Sequence, residues 1–120
     1  MDPDRMCPRY ERAASLLGKK WTGLIVRVLM GGPRRFYEFG RQVPELSDRL
    51  LSERLQELED EGIVRRIVHD SRPVRIEYRL TPKGLALEPV VQAIQEWADL
   101  WVAVPRQPAE LREPAAPGGP

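Results

Sequence analysis

The 120-residue chain carries 19 Lys and Arg side chains against 18 Asp and Glu, with one His and one Cys. This length is that of a single domain with a modest core, and 42% hydrophobic with 31% charged residues is a globular composition. One Cys and one His exclude an intrachain disulfide and a four-ligand zinc site built from these two residue types. The net charge of +1, taken alone, argues against a strong nucleic-acid or membrane-surface binder.

The charge is unevenly distributed along the chain. Residues 18–84 hold 14 basic and 10 acidic side chains, a net +4, whereas residues 85–120 hold 2 basic and 5 acidic side chains, a net −3. The middle of the chain is therefore basic, which the whole-chain sum conceals. The N-terminus is polar, and the apolar run at residues 24–26 is too short to span a membrane. We therefore expect a cytoplasmic protein that makes no membrane contact.

The first third of the chain predicts three helices. Residues 10–17 form the first, which Gly18 ends. Residues 20–30 form the second, which the Gly-Gly-Pro sequence at 31–33 stops. The segment 34–36 is long enough for a single β-bridge, and residues 37–43 form a short third helix that ends before Pro44. In the second helix, the positions expected to be buried are Leu24, Ile25, Val28 and Leu29.

The fourth helix carries the clearest local signals. Ser47 is a favourable N-cap because its hydroxyl can accept a hydrogen bond from a first-turn amide. Leu51, Leu55 and Leu58 have helical spacing and predict one buried stripe. Gly62 stands where a left-handed C-terminal cap belongs. The helix therefore spans about residues 48–61.

The last part of the fold is a hairpin followed by helices. Residues 63–68 and 74–80 predict two strands joined by a polar turn that contains His69, which we expect to be solvated. Thr81 and Pro82 are a cap and a first helical residue, and Pro89 kinks or restarts the helix. Residues 1–6 and the Pro- and Gly-rich segment 105–120 are expected to be disordered.

This order of elements predicts an α+β fold, namely a winged helix-turn-helix domain over residues 7–104. The fourth helix is the recognition helix, and the hairpin at about 63–80 is the wing. The helices at about 82–104, together with the first helix, are expected to be N- and C-terminal dimerisation helices.

Four segments resemble the HxlR-type family of bacterial winged-helix transcription regulators. They are LLGKKWT at 16–22, GPRRF at 32–36, LLSERLQELEDEGIV at 50–64 and EYRLTPKG at 77–84. The resemblance covers about residues 7–102. It implies a homodimer that binds operator DNA and represses or activates nearby genes. Some members of this family sense electrophiles or oxidants through a cysteine at the position of Cys7.

The sequence departs from the family pattern at three positions. Tyr37 stands where a small polar N-cap of the third helix is usual, and Gly23 interrupts an aliphatic stretch. Asp48 opens the recognition helix with a negative charge close to where phosphates would lie. The operator sequence therefore cannot be transferred from relatives.

Four side chains on the exposed face of the recognition helix are candidates for base contacts. Arg49 can pair with guanine, Gln56 with adenine and Glu53 with cytosine N4, while Ser52 is small enough to allow close approach. The alternative is a solvated helix face with intrahelical ion pairs.

Backbone and wing contacts, the dimer surface and the sensor complete the expected sites. The cations expected to meet DNA phosphates are Lys19, Lys20, Arg34, Arg35, Arg54, Arg72 and Arg75. The residues expected at the dimer interface are Tyr10, Val91, Ile94, Trp97, Ala98 and Trp101. The alternative for the tryptophans is an intramolecular core. Cys7 is the candidate redox sensor, and its alternative is an inert thiol packed under the dimer.

These observations predict a homodimeric, sequence-specific DNA-binding transcriptional regulator, a repressor acting on a palindromic operator and responsive to oxidants or electrophiles through Cys7. One alternative is a MarR-type regulator that binds a small-molecule ligand non-covalently, and another is a winged-helix interaction module that binds no DNA. An enzyme is not expected, because the sequence shows no nucleophile–His–acid set and no phosphate loop. No cofactor and no metal are expected.

Overall fold

The computed structural model describes residues 3–104. Its elements in chain order are α1 (Pro8–Leu17), α2 (Thr22–Met30), β1 (Arg34–Arg35), a 3-10 turn (Phe36–Glu38), α3 (Phe39–Gln42), α4 (Asp48–Asp60), β2 (Val64–His69), β3 (Arg75–Leu80), α5 (Pro82–Leu85) and α6 (Glu88–Trp101). This is the predicted α+β winged helix-turn-helix fold, with α3 and α4 as the helix-turn-helix and β2–β3 as the wing.

The three strands form one antiparallel sheet in the order β1-β3-β2. The hairpin pairs Val64 with Leu80 and His69 with Arg75, and β1 adds Arg34 opposite Tyr78. The predicted bridge therefore attaches the chain that enters the helix-turn-helix to the central strand of the wing. Because β1 is hydrogen-bonded to β3, the wing is held in a fixed position relative to the helix-turn-helix.

The core lies between α2, α4 and the hairpin. The fully buried side chains include Ile25, Phe39, Leu55 and Leu58. The predicted stripe of α4 is confirmed, because Leu51 is buried as well. In α2 the buried residues include Ile25, Val28 and Leu29 but not Leu24, which is half exposed. The expectation for Leu24 was wrong because that side chain faces the groove beside α6 rather than the core.

Local capping fixes both ends of the recognition helix and the start of α5. Ser47 Oγ accepts a hydrogen bond from the Leu50 amide at 3.2 Å, and Gly62 has φ +74°. Thr81 Oγ1 accepts from the Gly84 amide at 3.1 Å and donates to the Gly62 carbonyl at 2.5 Å. A Cβ on Gly84 would collide with the Ile63 carbonyl oxygen. The predicted caps are therefore confirmed, and Gly84 allows α5 to approach the β2 segment.

Several predicted boundaries are corrected. α1 begins at Pro8, and α2 begins at Thr22 because Trp21 adopts a left-handed conformation with φ +79°. The predicted third helix is divided into the 3-10 turn and α3, since the chain tightens where Phe39 enters the core. The strands begin one residue later than predicted, and Pro89 restarts the chain as α6. The expectation of a disordered tail concerns residues 105–120, which lie outside the described residues.

Candidate nucleic-acid interface and assembly surface

The N-terminal half of α4 presents a polar face to solvent. Three of its side chains, Arg49, Ser52 and Glu53, are exposed, while the leucines of the same helix are buried. Arg49 Nε lies 3.4 Å from Glu53 Oε1, and the Arg49 side chain is 88% exposed. Gln56 Nε2 donates to Asp60 Oδ1 at 3.0 Å. Intrahelical pairs therefore exist on this face, but exposed pairs of this kind are weak and exchange readily for other partners.

The C-terminal half of α4 is held by α1 and by the loop that follows it. Lys19 Nζ lies 2.6 Å from Glu57 Oε2, and Arg12 pairs with Glu61. The hydrogen bond from Lys19 holds the pKa of the Glu57 carboxyl below its ordinary value, and the charge of Arg54 acts in the same direction. Two carboxylates at the end of α4, those of Glu57 and Glu61, are therefore paired with the protein's own cations.

Arg54 belongs to this tethering set. Its Nε donates to the Lys20 carbonyl at 2.9 Å, and its Nη1 lies 3.3 Å from Glu57 Oε1. The side chain is only 16% exposed. Two of the three guanidinium nitrogens of Arg54 therefore have partners inside the fold, and these contacts hold α4 against the α1–α2 loop. The phosphate contact expected of Arg54 stays a prediction.

The other expected phosphate-binding cations fall into three pairs. Lys19 and Lys20 are exposed at the end of α1, where Lys19 is engaged with Glu57 and the Lys20 ammonium lies 5.1 Å from the Trp21 ring centroid. Arg34 and Arg35 are half-buried in β1, and Arg34 Nη1 donates to the Pro33 carbonyl at 3.1 Å. Arg72 and Arg75 are exposed at the wing.

His69 and Glu77 form a pair across the wing. His69 Nε2 lies 2.5 Å from Glu77 Oε1, and both side chains are largely covered. The hydrogen bond from His69 lowers the pKa of the Glu77 carboxyl, to which the charges of Arg75 and Arg79 also contribute. The expectation of a solvated imidazole was therefore wrong, because the antiparallel register brings the two side chains together on one face of the hairpin.

The helices α1 and α6 contain no buried residue, yet they carry large apolar side chains. Tyr10, Ile94, Trp97 and Trp101 are exposed, as expected for an interface. Val91 and Ala98 are half-buried, and both line the groove beside α2, so they belong to the inner side of α6. Three further exposed apolar residues were not expected at this surface, although they continue the apolar pattern of the last helix in the sequence: Leu100 on α6, and Val102 and Val104 after it.

A largely apolar groove of about 300 Å³ lies between α2 and α6. Leu24, Val91 and Ile94 contribute to its walls, and Arg27 Nη2 donates to Gln95 Oε1 across its edge at 3.3 Å. Trp21 also lines it, and within residues 3–104 the indole Nε1 of Trp21 is buried without a hydrogen-bond partner. The groove therefore offers a mainly apolar surface.

Cys7 is exposed at the N-cap of α1. Its carbonyl accepts a hydrogen bond from the Glu11 amide at 3.0 Å, so its thiol stands at the positive end of the α1 dipole. Across residues 3–104, no cluster of His, Cys, Asp and Glu has the arrangement of a metal site, and no helix is long and apolar enough to cross a bilayer.

The sequence matches the model of the HxlR-like helix-turn-helix family over residues 16–105. It is 51% identical over 102 residues to the uncharacterized HTH-type transcriptional regulator YvaP of Bacillus subtilis, covering 85% of this chain and 94% of YvaP. It is 53% identical over 94 residues to the HTH-type transcriptional regulator YodB of the same organism, covering 78% of this chain and 84% of YodB.

Solved structures agree with this relationship. The reduced form of YodB superimposes with a TM-score of 0.74 at 51% identity and covers 82% of this chain and 96% of that one. The oxidized form of the redox regulator HypR superimposes with a TM-score of 0.76 at 39% identity and covers 82% and 100%. YodB has also been solved in diamide-treated and quinone-bound forms.

Proposed function

The chain belongs to the HxlR-like helix-turn-helix family, and from this premise we propose that it is a homodimeric, cytoplasmic transcriptional regulator that represses genes by binding palindromic operator DNA. The α4 helix enters the major groove through its N-terminal half. The wing contacts the flanking backbone, and α1 and α6 join the two protomers.

The contrast within α4 is the observation that carries this proposal. The N-terminal half exposes Arg49, Ser52 and Glu53 with only one long ion pair among them, whereas the C-terminal half is fastened to α1. A helix held at one end and exposed at the other can bring its free side chains to base edges without moving. Glu57 and Glu61 are paired with the protein's own cations, which reduces their repulsion from phosphates.

The test begins with selection of bound duplexes from a random DNA pool. A palindromic site supports both the DNA binding and the two-fold symmetry of the dimer. Recovery of no enriched sequence overturns the proposal and favours an interaction module without DNA binding. On the selected site, Arg49→Ala is expected to weaken specific binding by about 10- to 100-fold while changing non-specific binding far less.

The matched control is Arg75→Ala, which removes an exposed cation from the wing instead of from α4. It is expected to weaken specific and non-specific binding by the same factor, because a phosphate contact carries no direct sequence information. If Arg49→Ala behaves like Arg75→Ala, Arg49 contacts phosphate only. Fluorescence anisotropy with labelled duplexes at one fixed salt concentration measures both variants.

We further propose that Cys7 makes the regulator responsive to oxidants and electrophiles. The thiol is exposed and stands at the N-cap of α1, where an oxidant or electrophile in solution can reach it. The relatives solved in reduced, diamide-treated and quinone-bound forms support this proposal. Because the sequence holds one cysteine, a disulfide has to form with a second copy or with a small thiol. Cys7→Ser is expected to abolish any change of DNA affinity on diamide treatment, and a wild-type protein indifferent to diamide ends the idea.

A second candidate is regulation by a non-covalent apolar ligand, which the groove between α2 and α6 favours. Its volume of about 300 Å³ and its mainly apolar walls suit a small apolar molecule. The fluorescent probe 8-anilinonaphthalene-1-sulfonate tests it. Gly23 lines the groove with open space around its Cβ position, so Gly23→Leu is expected to fill the groove and abolish probe binding. Equal probe fluorescence in both proteins places the probe elsewhere.

A further inference from the structure

Tyr37 departs from the family pattern and lies outside the recognition helix, so base contacts by α4 give it no role. It lies in the 3-10 turn that leads into α3, and its side chain is 59% exposed. The Arg41 guanidinium carbon lies 5.6 Å from the centre of the Tyr37 ring. This is a cation–π arrangement, which restricts the long Arg41 side chain and keeps both groups at the surface.

Tyr37 also lines an open groove of about 600 Å³ between this turn and the tip of the wing. The groove is lined by Arg35, Phe36, Tyr37 and residues 71–76. Three of its lining residues carry guanidinium groups, and none carries a carboxylate. The Ser71 hydroxyl donates to the Pro73 carbonyl at 2.8 Å, so it orders the turn that carries Arg72. The groove therefore has the character of an anion-binding surface.

We infer that this groove and the Tyr37–Arg41 pair at its edge bind the sugar–phosphate backbone of operator DNA outside the bases read by α4, with the Tyr37 hydroxyl and the Arg41 guanidinium as phosphate donors beside Arg72 and Arg75. This inference rests on the proposed function and adds two residues to the interface. The groove is open, whereas sites for small molecules enclose most of their ligand. An open basic groove with a phenol at its wall suits an extended polyanion, which is contacted on one side only.

Two variants test the inference against one control. Tyr37→Phe removes the hydroxyl and keeps the ring that stacks on Arg41, and Arg41→Gln removes the charge. Arg27→Gln removes an exposed cation on the α6 side of α2, remote from the wing. Affinity for the selected duplex is measured by anisotropy over a range of salt concentrations. Thermal melting and sedimentation establish that each variant is folded and dimeric.

The salt dependence gives the first result. Each lost phosphate contact reduces the slope of log K against log salt by about 0.9. Arg41→Gln, with two copies in the dimer, is therefore expected to make the slope shallower by about 2, while Arg27→Gln leaves it unchanged. Tyr37→Phe is expected to lower affinity roughly three- to tenfold with little change of slope, since a neutral donor is lost. Slopes and affinities equal to wild type in both groove variants overturn the inference.

Neutral methylphosphonate linkages in the DNA flanks provide the second result. The linkage is placed at successive positions outward from the bases contacted by α4. At one of these positions it is expected to lower the DNA affinity of the wild type but not that of Arg41→Gln. If every position weakens both proteins equally, the groove does not meet DNA. The proposed function then still stands, because the Arg49→Ala result is independent of it. If the wild type selects no DNA, the proposed function itself fails.

Discussion

Two parts of this molecule, the segment from α2 to β3 and the pair of helices α1 and α6, differ in how far they bury their hydrophobic side chains. In the segment from α2 to β3, residues such as Ile25, Phe39 and Leu55 are buried within the chain itself. In α1 and α6 no residue is buried, and the outer side of α6 exposes Trp97 and Trp101. The first half holds the closed core, against which Leu16, Leu87 and Val91 pack from outside. The second half presents an apolar surface that a single copy of the described chain leaves open.

This difference indicates how the proposed function is divided. A DNA-reading unit has to hold its side chains in fixed positions, which a closed core and two helix caps provide. An assembly surface has to remain apolar and accessible until a partner arrives. The same kind of substitution should therefore lower the stability of the fold in the first half and weaken association in the second. The following predictions use matched substitutions to test that division.

The largest effect is expected from truncating a core leucine. Leu55→Ala removes a fully buried side chain of α4 and should lower the free energy of unfolding by about 2–5 kcal/mol. Leu100→Ala makes the same chemical change on α6, where the side chain is 78% exposed, and should alter unfolding of the monomer little. Urea denaturation at low protein concentration measures both. Equal losses would show that α6 is part of one common core.

The next effect concerns association. Trp97→Ala should weaken the dimer by about 2–4 kcal/mol, because exposed tryptophans at the centre of an apolar surface are typical interface hot spots. Glu96→Ala, at the adjacent exposed position of α6, is the control and should change association little. Sedimentation equilibrium gives the dissociation constants. A monomeric wild-type protein would contradict the assignment of this surface.

Two glycines sharpen the comparison at the level of the backbone. Gly84→Ala places a methyl group against the Ile63 carbonyl and should cost about 1–3 kcal/mol of stability. Gly23→Ala meets open space on the exposed side of α2 and should stabilise the protein by about 0.5 kcal/mol through helix propensity. Thermal melting compares the two variants. A neutral Gly84→Ala would mean that α5 can move away from the β2 segment.

The smallest effect belongs to the tether between the halves. Because the folded-state pKa of Glu57 is lowered, its stabilising contribution is present at neutral pH and is lost as the pH falls through that lowered pKa. Glu57→Gln should therefore destabilise the protein by at most about 1 kcal/mol near pH 7, and the difference from wild type should vanish on the acid side. Glu45→Gln, on an exposed turn, serves as the control. Urea titrations at several pH values test this; a difference independent of pH would contradict the ion-pair explanation.

Features of short range were predictable from the sequence. Ser47, Gly62 and the Thr81–Pro82 pair act on neighbouring backbone groups, so their caps follow from residue type and spacing. The leucine stripe of α4 and the two strands of the hairpin are likewise periodic signals.

Features that depend on distant partners were not predictable in the same way. The Arg54 guanidinium looked free for phosphate, yet it meets the carbonyl of Lys20, which lies 34 residues away. His69 looked solvated, yet strand pairing brings it to Glu77. Leu24 looked like a core residue, because helical periodicity does not show which side of α2 a neighbouring helix will leave open. In each case the missing information was the arrangement of one element against another.

The open apolar side of α6 also affects how operator occupancy depends on the number of protein copies in the cell. If paired copies bind the operator and single copies bind it poorly, operator occupancy at low protein levels follows roughly the square of the copy number. A twofold fall in synthesis would then reduce occupancy by about fourfold, a steeper response than a monomeric binder can give. The exposed tryptophans of α6 would thus set a threshold below which the regulated genes escape control.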